Sequence, residues 1–250
     1  MISPVSSSPD VTNAGDFIFR VYPSDTLKTK MIAKYLQDRN LTKIALISER
    51  TDFAMDFRDS LKRNVGAENV VFDKVVEPGT KNFDDLMEDL EDTSFDVFFP
   101  NMQSDAVMAE IVLALRAQGF VQPILTHDVG DSTTLGEFAP GAVEGMHVIT
   151  VPTSGDKGTF ATMYVEKLGV PQQALPFAAH AYDATNVLLQ AMTAVGTDGK
   201  KIRDYLYNLE SYEGVIGPFR FNSDGDVLGI PFALKEFKNG KIVTIEQLSP

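Results

Sequence analysis

From Lys43 to Asp128 one pattern repeats along the chain: a short apolar run ends in polar or small residues, a segment of helical period follows, and the apolar run returns. Lys43-Ile44-Ala45-Leu46-Ile47 leads through Ser48-Glu49-Arg50-Thr51-Asp52-Phe53 into a helix that reaches Asn64. Val70–Val76 leads through Pro78-Gly79-Thr80 into a helix over Phe83–Glu91, where Phe83, Leu86, Met87 and Leu90 recur at i, i+3, i+4 and i+7. Asn82 is placed to cap it, and Asp84-Asp85 suit the positive end of its dipole. Phe95–Phe99 leads through Pro100-Asn101-Met102-Gln103 into a helix over Ala106–Gln118, with Ser104 as cap and Gly119 as stop. Pro123–Thr126 ends in His127-Asp128-Val129-Gly130. Strands and helices alternating at these lengths predict an α/β fold with a parallel sheet covered on both faces. Ligands of such sheets gather at the carboxyl ends of the strands. Chemistry is therefore expected in Ser48–Phe53, Asn101–Gln103 and His127–Asp128.

The flanks differ. Ile2–Pro9 reads as a strand end running into a Ser/Pro loop and Phe17–Val21 as a second strand, neither with a partner nearby in sequence. Ser24 is a candidate cap for a helix carrying Leu27, Met31, Ile32, Tyr35 and Leu36 on one stripe and stopping near Asn40. Gly145–Val151 reads as one more strand, and the loop Thr153–Gly158 as a crossing between lobes. Helices follow over Thr159–Leu168, Phe177–Val195 and Lys201–Leu209, stopped by Gly169, Gly196 and Gly214. The middle one aligns Phe177, Ala181, Ala184, Leu188, Ala191 and Val195 on one face. Three helices in a row need a sheet to cover, and this stretch supplies almost none. The end is β: Gly217–Phe221, then Pro231–Phe237 and Lys241–Gln247 flanking Asn239-Gly240, a strong hairpin signal.

Composition narrows the function classes. A net charge of −13 argues against nucleic acid, whose phosphates need clustered Lys and Arg. There is no cysteine, so thiolate chemistry and disulfides are excluded. No apolar run approaches the ~20 residues of a membrane span. No basic-then-apolar leader stands at Met1, which read literally points to the cytoplasm.

Reaction signatures are missing. The sequence holds no G-x-S-x-G, no H-E-x-x-H, no Walker loop and no G-x-G-x-x-G after a strand, so no cofactor is expected. His127, His147 and His180 lie far apart. Asn222-Ser223-Asp224-Gly225-Asp226 is rich in oxygen ligands but lacks the spacing of a calcium loop, and Asp-Gly is ordinary turn chemistry. What survives is a binding constellation. Ser6-Ser7-Ser8 offers hydroxyls and backbone N–H groups suited to a carboxylate, and Asp128 an acceptor for an ammonium. Phe53 and Met102, at neighbouring strand ends, offer apolar cover. Together they complement a zwitterionic amino acid. The competing readings are Asp128 as a cap, Phe53 as core ahead of Phe57, and the serines as a solvated loop.

The same residues carry a family resemblance. Ile2-Ser3-Pro4 through Pro9, Phe19-Arg20 with Ser24-Asp25, Lys43–Ser48, Ala181-Tyr182-Asp183-Ala184, and Gly214–Phe221 with Gly225-Asp226 stand in one order from Ile2 to the C-terminus. In this the chain resembles the type I periplasmic substrate-binding proteins of ABC transporters, in their branched-chain amino acid (Leu/Ile/Val) binding branch. The resemblance implies two doubly wound α/β lobes joined by three crossings, near Pro23–Ser24, Pro152–Thr153 and Val227–Gly229. One lobe would take 1–24 and 153–228, the other 25–152 and 229–250, so that the helices 159–209 cover the first lobe's sheet. It also implies hinge closure over a ligand rather than catalysis. By position Ser7 matches a hydroxyl contact to the amino acid, with Val5 and Ser6 offering backbone groups. Phe53 matches a flanking aromatic, Met102 stands near another aromatic position, and Asp128 matches an acid that meets the ammonium, one carbon shorter than the expected Glu. The family has a secretion signal and further β-α units before Ile-Ser-Pro, which implies an N-terminally truncated chain with an incomplete first lobe. The implied role is a periplasmic or extracellular protein that delivers a branched-chain or similar amino acid to a membrane permease and associates with the membrane through it. Two other readings stay open: a ligand-sensing domain of a receptor or regulator for amides, short-chain or aromatic acids, and an enzyme with Asp128 and His127 as acid and base.

Overall fold

The computed structural model describes residues 1–151, 159–169 and 175–248. Within it the chain divides into two compact units, Met1–Asp25 with Val151–Pro231, and Thr26–Thr150 with Phe232–Pro250. The expected crossing at Pro152–Thr153 and the loop after it lie outside the described residues.

The second unit carries the repeating β-α pattern. Strand Ile44–Glu49 lies between Val70–Val76 and Val97–Asn101 and runs parallel to both. Phe98 bridges Ile124 and its N–H donates to the Pro123 carbonyl at 2.9 Å, which continues the sheet to Leu125–Thr126. That strand pairs in parallel with His147–Thr150, and Phe232–Lys238 then joins antiparallel. The sheet ends at Lys241–Leu248, paired antiparallel to Phe232–Lys238 through a hairpin whose Asn239 and Gly240 have φ of 54° and 70°. Positive φ at both central residues fits a two-residue turn that follows the strand twist, as the Asn-Gly pair predicts.

Helices Asp52–Val65, Asp84–Glu91 and Asp105–Ala117 follow the strands. Thr51 Oγ1 caps the first by accepting from Ala54 N–H, and Ser104 Oγ caps the third by accepting from Val107 N–H. Asn82 accepts from Asp84 N–H, so it serves the helix start from one residue further out than a cap proper. The core of this unit gathers Ile47, Phe98, Met102, Met108, Ile111, Val112, Leu115 and Phe237, all fully enclosed. Each such side chain removed from water contributes about 1.5–3 kcal/mol.

Two features were not legible. The expected strand Phe95–Phe99 instead spans Val97–Asn101 and carries Pro100 inside it. Helix Asp25–Asp38 buries not only Met31, Ile32, Tyr35 and Leu36 but also Lys28 and Thr29.

The other unit holds two small sheets and a long helix whose buried face differs from the one expected. Ile2–Ser3 and Phe19–Arg20 pair with each other in parallel, Ile2 beside Phe19 and Ser3 beside Arg20. A second sheet, Tyr212–Gly214, Gly217–Phe221 and Val227–Leu228, is antiparallel. Helix Leu175–Val195 buries Ala179, His180, Asp183, Ala184, Val187 and Ala191, whereas Phe177 is exposed. The stripe is rotated from the apolar one because Asp183 is needed inside. Its carboxylate accepts from Val215 N–H at 3.0 Å and Ile216 N–H at 2.9 Å, and a side chain at Gly214 would collide with it. Burial pushes the Asp183 carboxyl up, against the pull of those two N–H groups.

Candidate functional site

In the second unit the carboxyl ends of three adjacent strands place Ser48, Glu49, Asn101 and His127 on one edge. Asn101, fully buried, ties them together. Its amide nitrogen donates to Ser48 Oγ at 2.9 Å and to the Ala54 carbonyl at 2.7 Å, and its amide oxygen faces His127 Nε2 at 3.0 Å. An amide oxygen only accepts, so the imidazole proton sits on Nε2 and Nδ1 accepts from Val129 N–H at 3.4 Å. Burial lowers the His127 pKa to about 3; the Asp128 carboxylate opposes this and Lys28 adds to it. The ring is a neutral strut at physiological pH. Aromatic rings enclose it: Phe57 at 4.6 Å between centroids, Phe53 edge-on at 5.2 Å and Phe99 at 6.3 Å. Glu49, also buried, accepts from Gln103 N–H at 2.8 Å and Ser104 N–H at 3.3 Å, where its charge complements the start of helix Asp105–Ala117.

Asp128 opens a short 3-10 turn, Asp128–Gly130, just beyond this network. Its carboxylate is paired with the Lys28 ammonium, and the Lys28 side chain is 0% exposed against 14% for Asp128. The same ammonium lies 6.0 Å from the centre of the Phe57 ring, within reach of its negative face.

In the first unit the serine turn is held from behind. Ser7 Oγ donates to Asp25 Oδ2 at 2.7 Å, and Asp25 N–H donates to the Ser7 carbonyl at 2.9 Å. Ser3 Oγ donates to Ser6 Oγ at 2.7 Å and accepts from Ser6 N–H. The buried Arg20 guanidinium donates to the Ser8 carbonyl at 2.7 Å, to Thr12 Oγ1 at 2.5 Å and to Asp226 Oδ1 at 2.6 Å. Thr12 Oγ1 in turn donates to Asp226 Oδ2 at 2.8 Å. Asn222 Oδ1 accepts from the N–H groups of Asp224 and Asp226, so the oxygen-rich run is a turn whose last carboxylate serves Arg20.

Among the expected site residues, Val5 is exposed, Ser6 and Phe53 are half-buried, and Ser7 is buried. Met102 departs from its expected part. It is fully enclosed in the core of the second unit, because the strand before it runs on through Pro100 and Asn101 and turns its side chain inward. Phe53 alone of the two expected cover residues keeps an open face.

The profile of the periplasmic binding protein family matches residues 1–241. The chain belongs to that family. Among curated periplasmic binding proteins, the leucine-specific-binding protein of Salmonella typhimurium is 27% identical over 94% of this chain, and the Leu/Ile/Val-binding protein of Escherichia coli K12 is 26% identical over 94%. The chain spans 64% of the length of each. A solved leucine-binding protein of Thermotoga maritima shares the fold at a TM-score of 0.84 and 23% identity, over 100% of this chain and 73% of its own. A solute-binding protein of an R. palustris ABC transporter, solved with benzoate, does so at 0.81 and 18%, over 100% and 71%.

For this periplasmic binding protein, sequence reasoning found the strand ends but missed Lys28 and Arg20. A signal for Lys28 existed: it stands four residues before Ile32 and seven before Tyr35, on the buried stripe of its helix. Arg20, beside Ser3 in the paired strands, had no local sign of burial.

Proposed function

We propose that this chain forms the ligand-binding part of an extracytoplasmic solute-binding protein, one that captures a branched-chain or similar amino acid and delivers it to an ABC permease. In this reading the lobes are 1–24 with 153–228 and 25–152 with 229–250. The ligand meets Val5, Ser6 and Ser7 in the first and Phe53, beside Asp128, in the second. The protein works in the periplasm or outside the cell and meets the membrane through its permease. The curated relatives' names, leucine-specific-binding and Leu/Ile/Val-binding, support the ligand class.

One observation carries the reading: the half-open ring of Phe53 sits on a rigid, neutral frame of His127, Asn101 and Phe57 at the strand ends. A prearranged apolar wall with fixed polar neighbours suits capture of a small solute. The frame argues against acid–base catalysis by His127, because a ring enclosed by three phenyl groups and neutral down to about pH 3 is poorly placed to exchange protons at neutrality.

Calorimetry with a panel of amino acids tests the proposal. One aliphatic amino acid is expected to bind with one-to-one stoichiometry, and Phe53→Ala to weaken it at least tenfold while the melting temperature without ligand stays within a few degrees. Silence across the whole panel would end the amino-acid reading.

A further inference from the structure

Resting on the solute-binding reading, we infer that Lys28 cancels Asp128 as a grip for a ligand's ammonium, so that this protein selects branched monocarboxylates whether or not they carry an α-amino group.

Asp128 is the acid that sequence reasoning offered to an ammonium. In the structure an ammonium is already there, and it belongs to the chain. The side chain of Lys28 is completely enclosed, its nitrogen bonded to Asp128 Oδ2, while only 14% of the Asp128 side chain meets solvent. A covalently held cation in a helix needs no further ordering to stay at this carboxylate, whereas a free ligand gives up its translational freedom to compete. A second ammonium beside Asp128 would also stand close to the first, in a poorly hydrated corner under Phe57, where like charges repel more strongly than in water.

Three other acids of this edge are already engaged. Glu49 is buried and accepts from the N–H groups of Gln103 and Ser104. Asp131 is bound by both oxygens to Lys235 Nζ, at 2.9 and 2.6 Å. Asp105 accepts from Ser132 Oγ at 2.9 Å. Ser48 and Asn101 are bonded to each other and His127 is neutral. Glu49, Asp131 and Asp105 are therefore each engaged by a group of the same unit. What remains for selection by this unit is shape, through Phe53, together with a field to which the buried Lys28 cation contributes. A site built so discriminates weakly for an amino group, since discrimination requires a partner left unsatisfied when the group is missing.

The test compares leucine with 4-methylpentanoate, the same skeleton without nitrogen, by calorimetry on the full chain. The acid is expected to bind within tenfold of leucine or more tightly. Lys28→Met takes the Lys28 ammonium away from Asp128, and the ratio of the two affinities is expected to move at least tenfold toward leucine. Leucine binding more than tenfold tighter than the acid to the unaltered protein would overturn the inference and leave the amino-acid proposal standing. An unmoved ratio in a folded Lys28→Met would also overturn it. If that variant does not fold, the comparison on the unaltered chain decides alone. If neither compound binds, the solute-binding reading for branched carboxylates fails, and this inference with it.

Discussion

Two buried cations, each on a nearly enclosed aspartate, do different work in the two units. Arg20 and Lys28 both have side chains 0% exposed, and their partners Asp226 and Asp128 are 15% and 14% exposed. Arg20 uses its planar fork to join three segments far apart in sequence: the serine turn at Ser8, the turn at Thr12, and Asp226, which lies 206 residues away. Lys28 presents a compact charge to the Asp128 carboxylate beside the Phe57 ring at the strand ends. The fork suits a brace, because each N–H has a fixed direction. The point charge suits an electrostatic setting, because what matters there is where the charge is. Equal burial and equal pairing therefore do not mean equal roles; the shape of the charged group and the segments it joins separate them.

Removing the brace is expected to have the largest effect. Arg20→Ala leaves the nearly enclosed Asp226 carboxylate without its cation and releases Ser8 and Thr12, a loss of about 3–5 kcal/mol. Urea unfolding should show the loss in the transition of the unit formed by Met1–Asp25 and Val151–Pro231. A loss under about 1 kcal/mol would mean that water replaces the guanidinium and that Arg20 is no brace.

The dryness of the other corner can be read through His127. Its folded pKa of about 3 lies below the ordinary value near 6.5, so as pH falls the unfolded chain takes up the proton first. The contribution is fully present above about pH 6.5 and falls through the window below it. It stops falling near pH 3, where the folded ring protonates too. Between pH 6.5 and 4.5 the native protein should lose about 2–3 kcal/mol relative to His127→Gln. Parallel pH profiles of the two proteins would place His127 in contact with water and weaken the contrast.

The smallest effect concerns the serine turn itself. Ser7→Ala removes the hydroxyl that donates to Asp25, at a cost of about 1 kcal/mol. Chemical denaturation checks this. No change would mean that the bonds of Arg20, of Ser3 with Ser6 and of the Asp25 N–H fix the turn without the Ser7 hydroxyl.

Much of the second unit was legible because its elements are local. The apolar runs at Ile44–Ile47 and Val70–Val76 and the helical spacing of Phe83, Leu86, Met87 and Leu90 each carry their own signal. Asn239-Gly240 announces its hairpin for a similar reason, since few residue pairs accept positive φ twice. Met102 misled because loop and strand cannot be told apart at a strand end from residue type. Pro100 and Asn101 look like a stop, and the strand continues through both. Helix Leu175–Val195 misled because its buried face includes His180 and Asp183, which apolar periodicity leaves out.

The order of residues alone set the alternation of strands and helices, since period and turn chemistry act over a few residues, and its motifs carried the resemblance to the family. Tertiary structure decided which charges are enclosed and with what. Whether Lys28 faces water or Asp128, and whether Arg20 is a surface charge or a brace, depends on segments 100 and 206 residues distant. Burial, the quantity that turns a charge into a constraint, exists only after those segments have met.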